Sequence, residues 1–129
     1  MALLVLDASV VIALLDGRDA HHARALVSIE ANRAADKVIP ASSLAEVLVV
    51  PYRAGDRTVQ ELERSLAEVP VRIEPITVDI ARQAAALRAK HAGLRLGDAV
   101  VLATGEVLGA AVLTADAAWP RYSKRVRVI

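Results

Sequence analysis

Short apolar runs alternate with helical patterns along most of the chain, and this alternation constrains the fold more than any other feature. A buried strand typically reads as an apolar or alternating run of about four to eight residues. The candidates are ALLVL at 2–6, KVIPA at 37–41, VRIEPI at 71–76, AAVLT at 110–114 and KRVRVI at 124–129. Strands separated by helices pair in parallel, with the helices covering both faces. The sequence therefore predicts an α/β fold, a three-layer α/β/α sandwich with a central, mostly parallel sheet.

The segments between these runs carry apolar residues at helical spacing. They are ASVVIALLDG at 8–17, the stretch 19–36, SSLAEVLVVPYRAG at 42–55, DRTVQELERSLAEV at 56–69, TVDIARQAAALRAKHAG at 77–93 and LGDAVVLATGEVLG at 96–109. Pro51 is expected to bend or weaken its helix, Thr77 to cap one, and Gly93 to end one. No linker interrupts the pattern, so we expect a single domain spanning residues 1–129.

Composition excludes several classes of function. The chain has no cysteine, which rules out disulfide scaffolds and thiolate metal sites and is compatible with a cytoplasmic location. The N-terminus lacks a basic region before its apolar run, and no apolar run is long enough to span a membrane. No G-x-G-x-x-G, P-loop or G-x-S-x-G motif is present, which leaves nucleotide cofactors and a serine nucleophile without support. We expect no membrane association.

Four acids stand nearly alone in apolar sequence. Asp7 closes the first strand, Glu46 lies in SLAEVLVV, Asp98 lies in LRLGDAVVLATG, and Asp116 follows the AAVLT strand. Carboxylates are rarely buried without compensation, and ligands of parallel sheets bind beyond the carboxyl ends of the strands. If the four converge there, their repulsion calls for a divalent cation, and an all-oxygen site suits Mg²⁺, with Mn²⁺ as the alternative.

Each acid also has a local interpretation that needs no ligand. Asp7 fits the N-cap of the helix that follows, and Asp98 fits a helix cap after Gly97. Ser43 and Glu46 have the Ser-x-x-Glu spacing of a capping box. Asp116 fits an ordinary turn. The joint recurrence favours a common site over separate caps.

Two hydroxyl residues stand beside the acids. Ser9 lies two residues after Asp7, and Thr114 lies two residues before Asp116. On a strand, side chains two residues apart share a face. Either hydroxyl is placed to orient an acid or a water molecule bound to the cation, and local bonding to the backbone is the alternative.

Taken in order, VLDASVVIALL, SSLAEVL, LRLGDAVVLATG and VLTAD resemble the PIN domain family, in particular its VapC-type toxin ribonucleases. The resemblance covers nearly the whole chain and implies a Mg²⁺-dependent endoribonuclease that hydrolyses RNA phosphodiester bonds with a metal-activated water. Asp7, Glu46, Asp98 and Asp116 match the acidic quartet of the family, with Asp7 and Asp98 as the direct metal ligands. A type II toxin–antitoxin system is also implied, with a cognate antitoxin protein as partner and a homodimer as the assembly. Arg95 departs from the small polar residue of many relatives.

Other readings of the chain remain open at this point. A non-catalytic α/β interaction module would use the acids as caps and the basic tail RYSKRVRVI to bind a partner, and that tail also fits a charged edge strand. A metal-dependent phosphatase or DNA nuclease would share the acidic site. Arg18, Arg95 and Arg121 are candidate phosphate contacts. The stretch VLVVPY at 47–52 is either core or an exposed patch for a partner or a second copy.

Overall fold

Five short parallel strands form one sheet at the centre of the molecule. The structure is a computed structural model and describes residues 2–129. The strands are β1 (Leu3–Leu6), β2 (Asp36–Pro40), β3 (Val71–Glu74), β4 (Ala111–Thr114) and β5 (Val126–Val128). They lie in the order β3-β2-β1-β4-β5, and every pairing is parallel. The predicted α/β sandwich is confirmed.

Six α-helices flank the sheet across residues 2–129. They are α1 (Ala8–Leu15), α2 (His22–Ala31), α3 (Ala41–Ala54), α4 (Asp56–Glu68), α5 (Val78–Lys90) and α6 (Leu96–Leu108). Thr77 caps α5 as predicted, because its side chain accepts a hydrogen bond from the Ile80 N–H. None of the described helices has the length and apolarity needed to cross a membrane.

Helix α3 runs through Pro51 to Ala54, in agreement with the helix predicted over 42–55, and Pro51 is buried with Val47 on the packed side of the helix. One boundary prediction was wrong. Helix α5 ends at Lys90 rather than at Gly93, and the His91 N–H closes its last turn by donating to the Leu87 carbonyl.

The core lies on both faces of the sheet because successive strand residues point to opposite sides. Val5 and Val112 pack on one face with α5 and α6, while Leu4, Leu6 and Leu113 pack on the other with α1 and α3. Burial of each such side chain stabilises the fold by about 1.5–3 kcal/mol. This two-sided burial explains why β1 and β4 are continuous apolar runs. Because all five strands are parallel, they end at the same edge of the sheet.

Helix α6 lies unusually close to the sheet. A Cβ atom at Gly105 would collide with the side chain of Val112 on β4, so glycine is required for this approach. The chain turns at Gly109, which adopts a left-handed conformation with φ 64°, and enters β4 directly. Helix α6 therefore runs antiparallel to β4, and its N-terminus lies at the carboxyl edge of the sheet.

Candidate active site

The topology brings the predicted acids to one edge of the sheet. Asp7 follows the last residue of β1, and Asp116 lies two residues beyond β4. Glu46 lies in the second turn of α3, which starts directly after β2, and Asp98 lies in the first turn of α6. Because β1, β2 and β4 are adjacent and parallel, these positions share the carboxyl edge.

Asp7 is the most enclosed of these acids, at 7% exposed. Its Oδ2 atom accepts hydrogen bonds from Ser9 Oγ at 2.7 Å and from Thr114 Oγ1 at 3.0 Å. Each hydroxyl in turn accepts a backbone N–H, from Ala115 at Ser9 and from Asp116 at Thr114, both at 3.1 Å. Because each hydroxyl accepts a backbone N–H, its own proton is directed at Asp7 Oδ2.

This network leaves the other carboxylate oxygen of Asp7, Oδ1, outside both hydroxyl contacts. Asp7 occupies the N-cap position of α1, yet its side chain makes no cap hydrogen bond. The local interpretation of Asp7 as a capping side chain therefore does not apply. Ser9 and Thr114 hold the carboxylate in one orientation, which is what a ligating or catalytic carboxylate requires.

Glu46 does not form a capping box with Ser43. Helix α3 begins at Ala41, so Ser43 already lies inside it, and the buried Ser43 hydroxyl has no hydrogen-bond partner within residues 2–129. Desolvation raises the pKa of the Glu46 carboxyl above its ordinary value of 4.5, and the charges of Asp7 and Asp98 add to this effect. The Glu46 carboxyl is thus affected by the negative charges of both Asp7 and Asp98.

Asp98 is not the cap of its helix, because Arg95 holds the N-cap position of α6. The Arg95 Nε atom lies 3.4 Å from Asp98 Oδ2, and the arginine side chain is 84% exposed while the aspartate is 19% exposed. Burial raises the pKa of the Asp98 carboxyl, and the charge of Arg95 opposes that rise. The charges of Asp7 and Asp116 raise the same pKa further.

Asp116 follows its local interpretation. Its Oδ1 atom accepts a hydrogen bond from the Ala118 N–H at 2.9 Å, which is a turn interaction on an exposed residue. The charge of Asp116 makes the smallest contribution to the raised pKa of Asp98.

The acids act on one another without forming a tight cluster. Among the described residues 2–129, no three His, Cys, Asp or Glu side chains lie close enough to hold a metal ion as they stand. The donors are all carboxylate and hydroxyl oxygens, which suits Mg²⁺ or Mn²⁺ and does not suit zinc.

Of the three arginines predicted as phosphate contacts, only Arg95 lies beside the acids. Arg18 is 95% exposed and pairs with Asp16, and Arg121 lies over the ring of Tyr122.

Gly97 is a site residue that sequence reasoning missed. A Cβ atom there would lie 3.2 Å from Glu46 Oε1, so the absent side chain lets α6 and Glu46 approach. The only signal in the sequence is a glycine in the first turn of a helix, where it weakens helix formation by roughly 1 kcal/mol relative to alanine.

Gly97→Ala is therefore expected to separate stability from function. Helix propensity would hold or raise the melting temperature, while displacement of Glu46 would weaken Mn²⁺ binding by about tenfold, the lower end of the loss seen when groups supporting a metal site are changed. Calorimetric titration and thermal melting measure the two effects. Gly93→Ala, where a Cβ atom meets nothing within 4 Å, is the matched control. Equal Mn²⁺ affinity in both variants would contradict a role for the close approach.

The fold is a parallel α/β sandwich with several acids at the carboxyl edge of its sheet. The chain belongs to the PIN domain family, whose model matches residues 4–125. No curated protein matches the chain significantly in sequence.

Solved structures of similar fold come from toxin–antitoxin systems. One is a toxin–antitoxin complex from Klebsiella pneumoniae, with 25% identity, a TM-score of 0.79, and coverage of 99% of this chain and 97% of that one. Another is Mycobacterium tuberculosis VapC20, described as a Sarcin-Ricin loop cleaving toxin, with 22% identity, a TM-score of 0.73, and coverage of 92% and 93%. The second likeness establishes fold only.

Proposed function

We propose that this chain, acting as a single domain, is a Mg²⁺-dependent endoribonuclease and the toxin of a type II toxin–antitoxin system. The observation that carries the proposal is the buried Asp7 carboxylate, fixed by Ser9 and Thr114 and facing Glu46 and Asp98. Membership of the PIN domain family supports it, and so does the likeness to toxins of such systems.

In this proposal Asp7 and Asp98 are the residues that hold the cation. When bound, Mg²⁺ or Mn²⁺ supplies positive charge against the phosphate and lowers the pKa of water. The Ser9 and Thr114 hydroxyls keep the Asp7 carboxylate oriented. Glu46 lies in the second turn of α3 at the same edge of the sheet, where it orients water or contacts a second cation.

Two further residues complete the proposed site. Asp116 extends the acidic edge, where it orients water or contacts a second cation. Arg95 neutralises part of the charge of Asp98 in the free protein, and its exposed guanidinium is placed to contact a phosphate of the bound RNA. An arginine at an N-cap forgoes the usual capping side chain, so its presence there is better explained by the acids than by helix stability.

The alternative of a non-catalytic module is less well supported. It requires the acids to act as caps, and only Asp116 makes a hydrogen bond of that kind. The Asp7 side chain makes no cap bond, Glu46 lies inside its helix, and Asp98 leaves the cap position to Arg95.

A substrate panel tests the proposed function. Single-stranded RNA, DNA of the same sequence and a phosphomonoester are incubated with the protein in Mg²⁺, in Mn²⁺ and in EDTA. We expect internal cleavage of RNA in either metal and none in EDTA. Preferential cleavage of DNA or release of phosphate from the monoester would assign the site to a DNA nuclease or a phosphatase, and no turnover of any substrate would favour the interaction module.

We also propose a cognate antitoxin and a homodimer as partners. The VLVVPY stretch supports a contact surface, because Val47 and Pro51 are buried while Val49, Val50 and Tyr52 are exposed on α3. A shallow cleft of about 550 Å³ lies beside them. The stretch is thus half core and half surface.

A further inference from the structure

The C-terminal segment carries positive charge that the acidic edge does not explain. Residues 117–129 contain no acid and include the exposed cations Arg121, Lys124, Arg125 and Arg127, which we call the basic strip. Protection of an edge strand accounts for a charge on β5, which is an edge strand of the sheet. Only Arg127 lies on β5, so the other three cations need another explanation.

The segment that carries the basic strip starts at the acidic edge and returns to the opposite edge of the sheet. Strands β4 and β5 are parallel, with Val112 beside Val126 and Thr114 beside Val128. The chain must therefore return from the carboxyl edge to the amino edge between Asp116 and Val126. Arg121 lies midway along this return, and Lys124 and Arg125 lie at its far end.

The return segment is held in place by side-chain contacts. Trp119 is buried in the core at 2% exposed. Ser123 Oγ donates to Glu106 Oε1 at 2.8 Å, and Arg125 Nε lies 3.4 Å from Glu106 Oε2. The ring of Tyr122 packs edge-on against His91, with centroids 5.0 Å apart. The cations are thus carried on an ordered segment, which reduces the entropy lost when a ligand binds.

Two clefts follow the basic strip and share Lys124 and Arg125 as lining residues. The first, of about 400 Å³, lies at the amino edge beside Arg127 and Asn32. The second, of about 700 Å³, lies beside Arg121. Their lining includes a single acid, Glu106, which already accepts from Ser123 and Arg125. Linked clefts with cations and one neutralised acid fit an extended polyanion.

We propose that the basic strip binds the sugar–phosphate backbone of the RNA substrate outside the acidic edge. The proposal rests on the proposed function. A carboxylate-rich site repels phosphates, so a polyanion that approaches it gains from positive charge placed a short distance away. The strip supplies that charge along one side of the sheet, from Arg121 midway between the two edges to Lys124 and Arg125 at the amino edge. Contacts of this kind position a strand without reading its sequence.

The test measures RNA binding in EDTA, where no metal-dependent cleavage occurs. The strip variant is Arg121→Gln/Lys124→Gln/Arg127→Gln, which spares Arg125 because it pairs with Glu106. The matched control is Arg57→Gln/Arg64→Gln/Arg72→Gln, which removes the same charge from exposed positions on α4 and β3, at the opposite side of the sheet. Thermal melting verifies that both fold, and single Lys124→Gln is the fallback variant.

Each phosphate contact on a single strand adds about 0.7 to the slope of log affinity against log salt, so the strip variant is expected to lose about 2 from that slope between about 50 and 200 mM salt. Its Kd for fluorescein-labelled RNA is expected to rise at least about tenfold at the lower salt. The control variant should keep the parent slope. Equal slopes in the two variants would overturn the proposal. It would also be overturned if the strip variant lost binding to an acidic protein while its binding to RNA was unchanged.

The outcome is separable from the nuclease assignment. A protein that binds RNA through the basic strip in EDTA and cuts no RNA in Mg²⁺ would support the strip and reject the proposed function. A protein that cuts RNA with equal slopes in both variants would do the reverse.

Discussion

Asp7→Asn and Asp98→Asn are each expected to reduce Mg²⁺-dependent RNA cleavage by at least about 100-fold while the fold is retained. The loss is this large because each change removes a negative charge that binds the cation directly, rather than a group that only orients a ligand. In Asp7→Asn the amide oxygen still accepts from Ser9 and Thr114, so the hydroxyl network survives while the negative charge is lost. In Asp98→Asn, removal of the charge relieves repulsion from Asp7 and Asp116. Neither change opens a cavity, because asparagine and aspartate are nearly equal in size.

Cleavage rates with a labelled RNA and melting temperatures without metal measure these effects. Asp79→Asn is the matched control, because Asp79 lies in the first turn of α5 as Asp98 does in α6, and it is exposed. We expect the control to cut at the parent rate. Full activity in Asp7→Asn or in Asp98→Asn would refute the proposed site, whereas a large fall in melting temperature would indicate a structural role for the residue.

Much of the fold follows from the sequence because hydrophobic periodicity reports burial directly. The β1 run is buried on both faces, and this is possible only in a sheet covered by helices on each side. Helix boundaries were less accessible. Gly93 is typical of the end of a helix, yet α5 ends three residues earlier, at Lys90, where the His91 N–H donates to the Leu87 carbonyl.

The candidate site was predictable at the level of topology and not of contacts. A strand end places Asp7 and Asp116 at the carboxyl edge from sequence alone. The bond from Thr114 to Asp7 joins residues 107 positions apart, and no local pattern encodes it. The apparent capping box at Ser43 and Glu46 arose because the sequence does not reveal that α3 starts at Ala41. Gly97 was missed because its role depends on a side chain from another helix.

Divalent cations are expected to stabilise the protein in a pH-dependent manner. Partial burial is the largest cause that raises the pKa of Glu46 above 4.5 and that of Asp98 above 3.8, and the charges of neighbouring carboxylates add to it. Between the ordinary pKa of each carboxyl and its raised value, the folded state holds more protons than the unfolded state. The free energy of unfolding without metal therefore falls as pH rises through this range. These two carboxyls therefore contribute less to the stability of the metal-free protein at neutral pH than when they are protonated.

Cation binding reverses this loss, because a cation binds the ionised carboxylates and competes with their protons. At a free Mn²⁺ concentration of about 100 times Kd, the stabilisation is about 2.7 kcal/mol, on the order of 10 °C in melting temperature for a domain of this size. We expect that shift at neutral pH and a progressively smaller one as pH falls through the raised pKa values of Glu46 and Asp98.

Melting scans with Mn²⁺ or with KCl at equal ionic strength measure this shift in melting temperature across pH. Asp79→Asn should keep the shift and Asp7→Asn should lose it. A shift that is equal in KCl, or that survives in Asp7→Asn, would show that the cation acts by general screening, since only binding at the acidic edge requires that particular carboxylate.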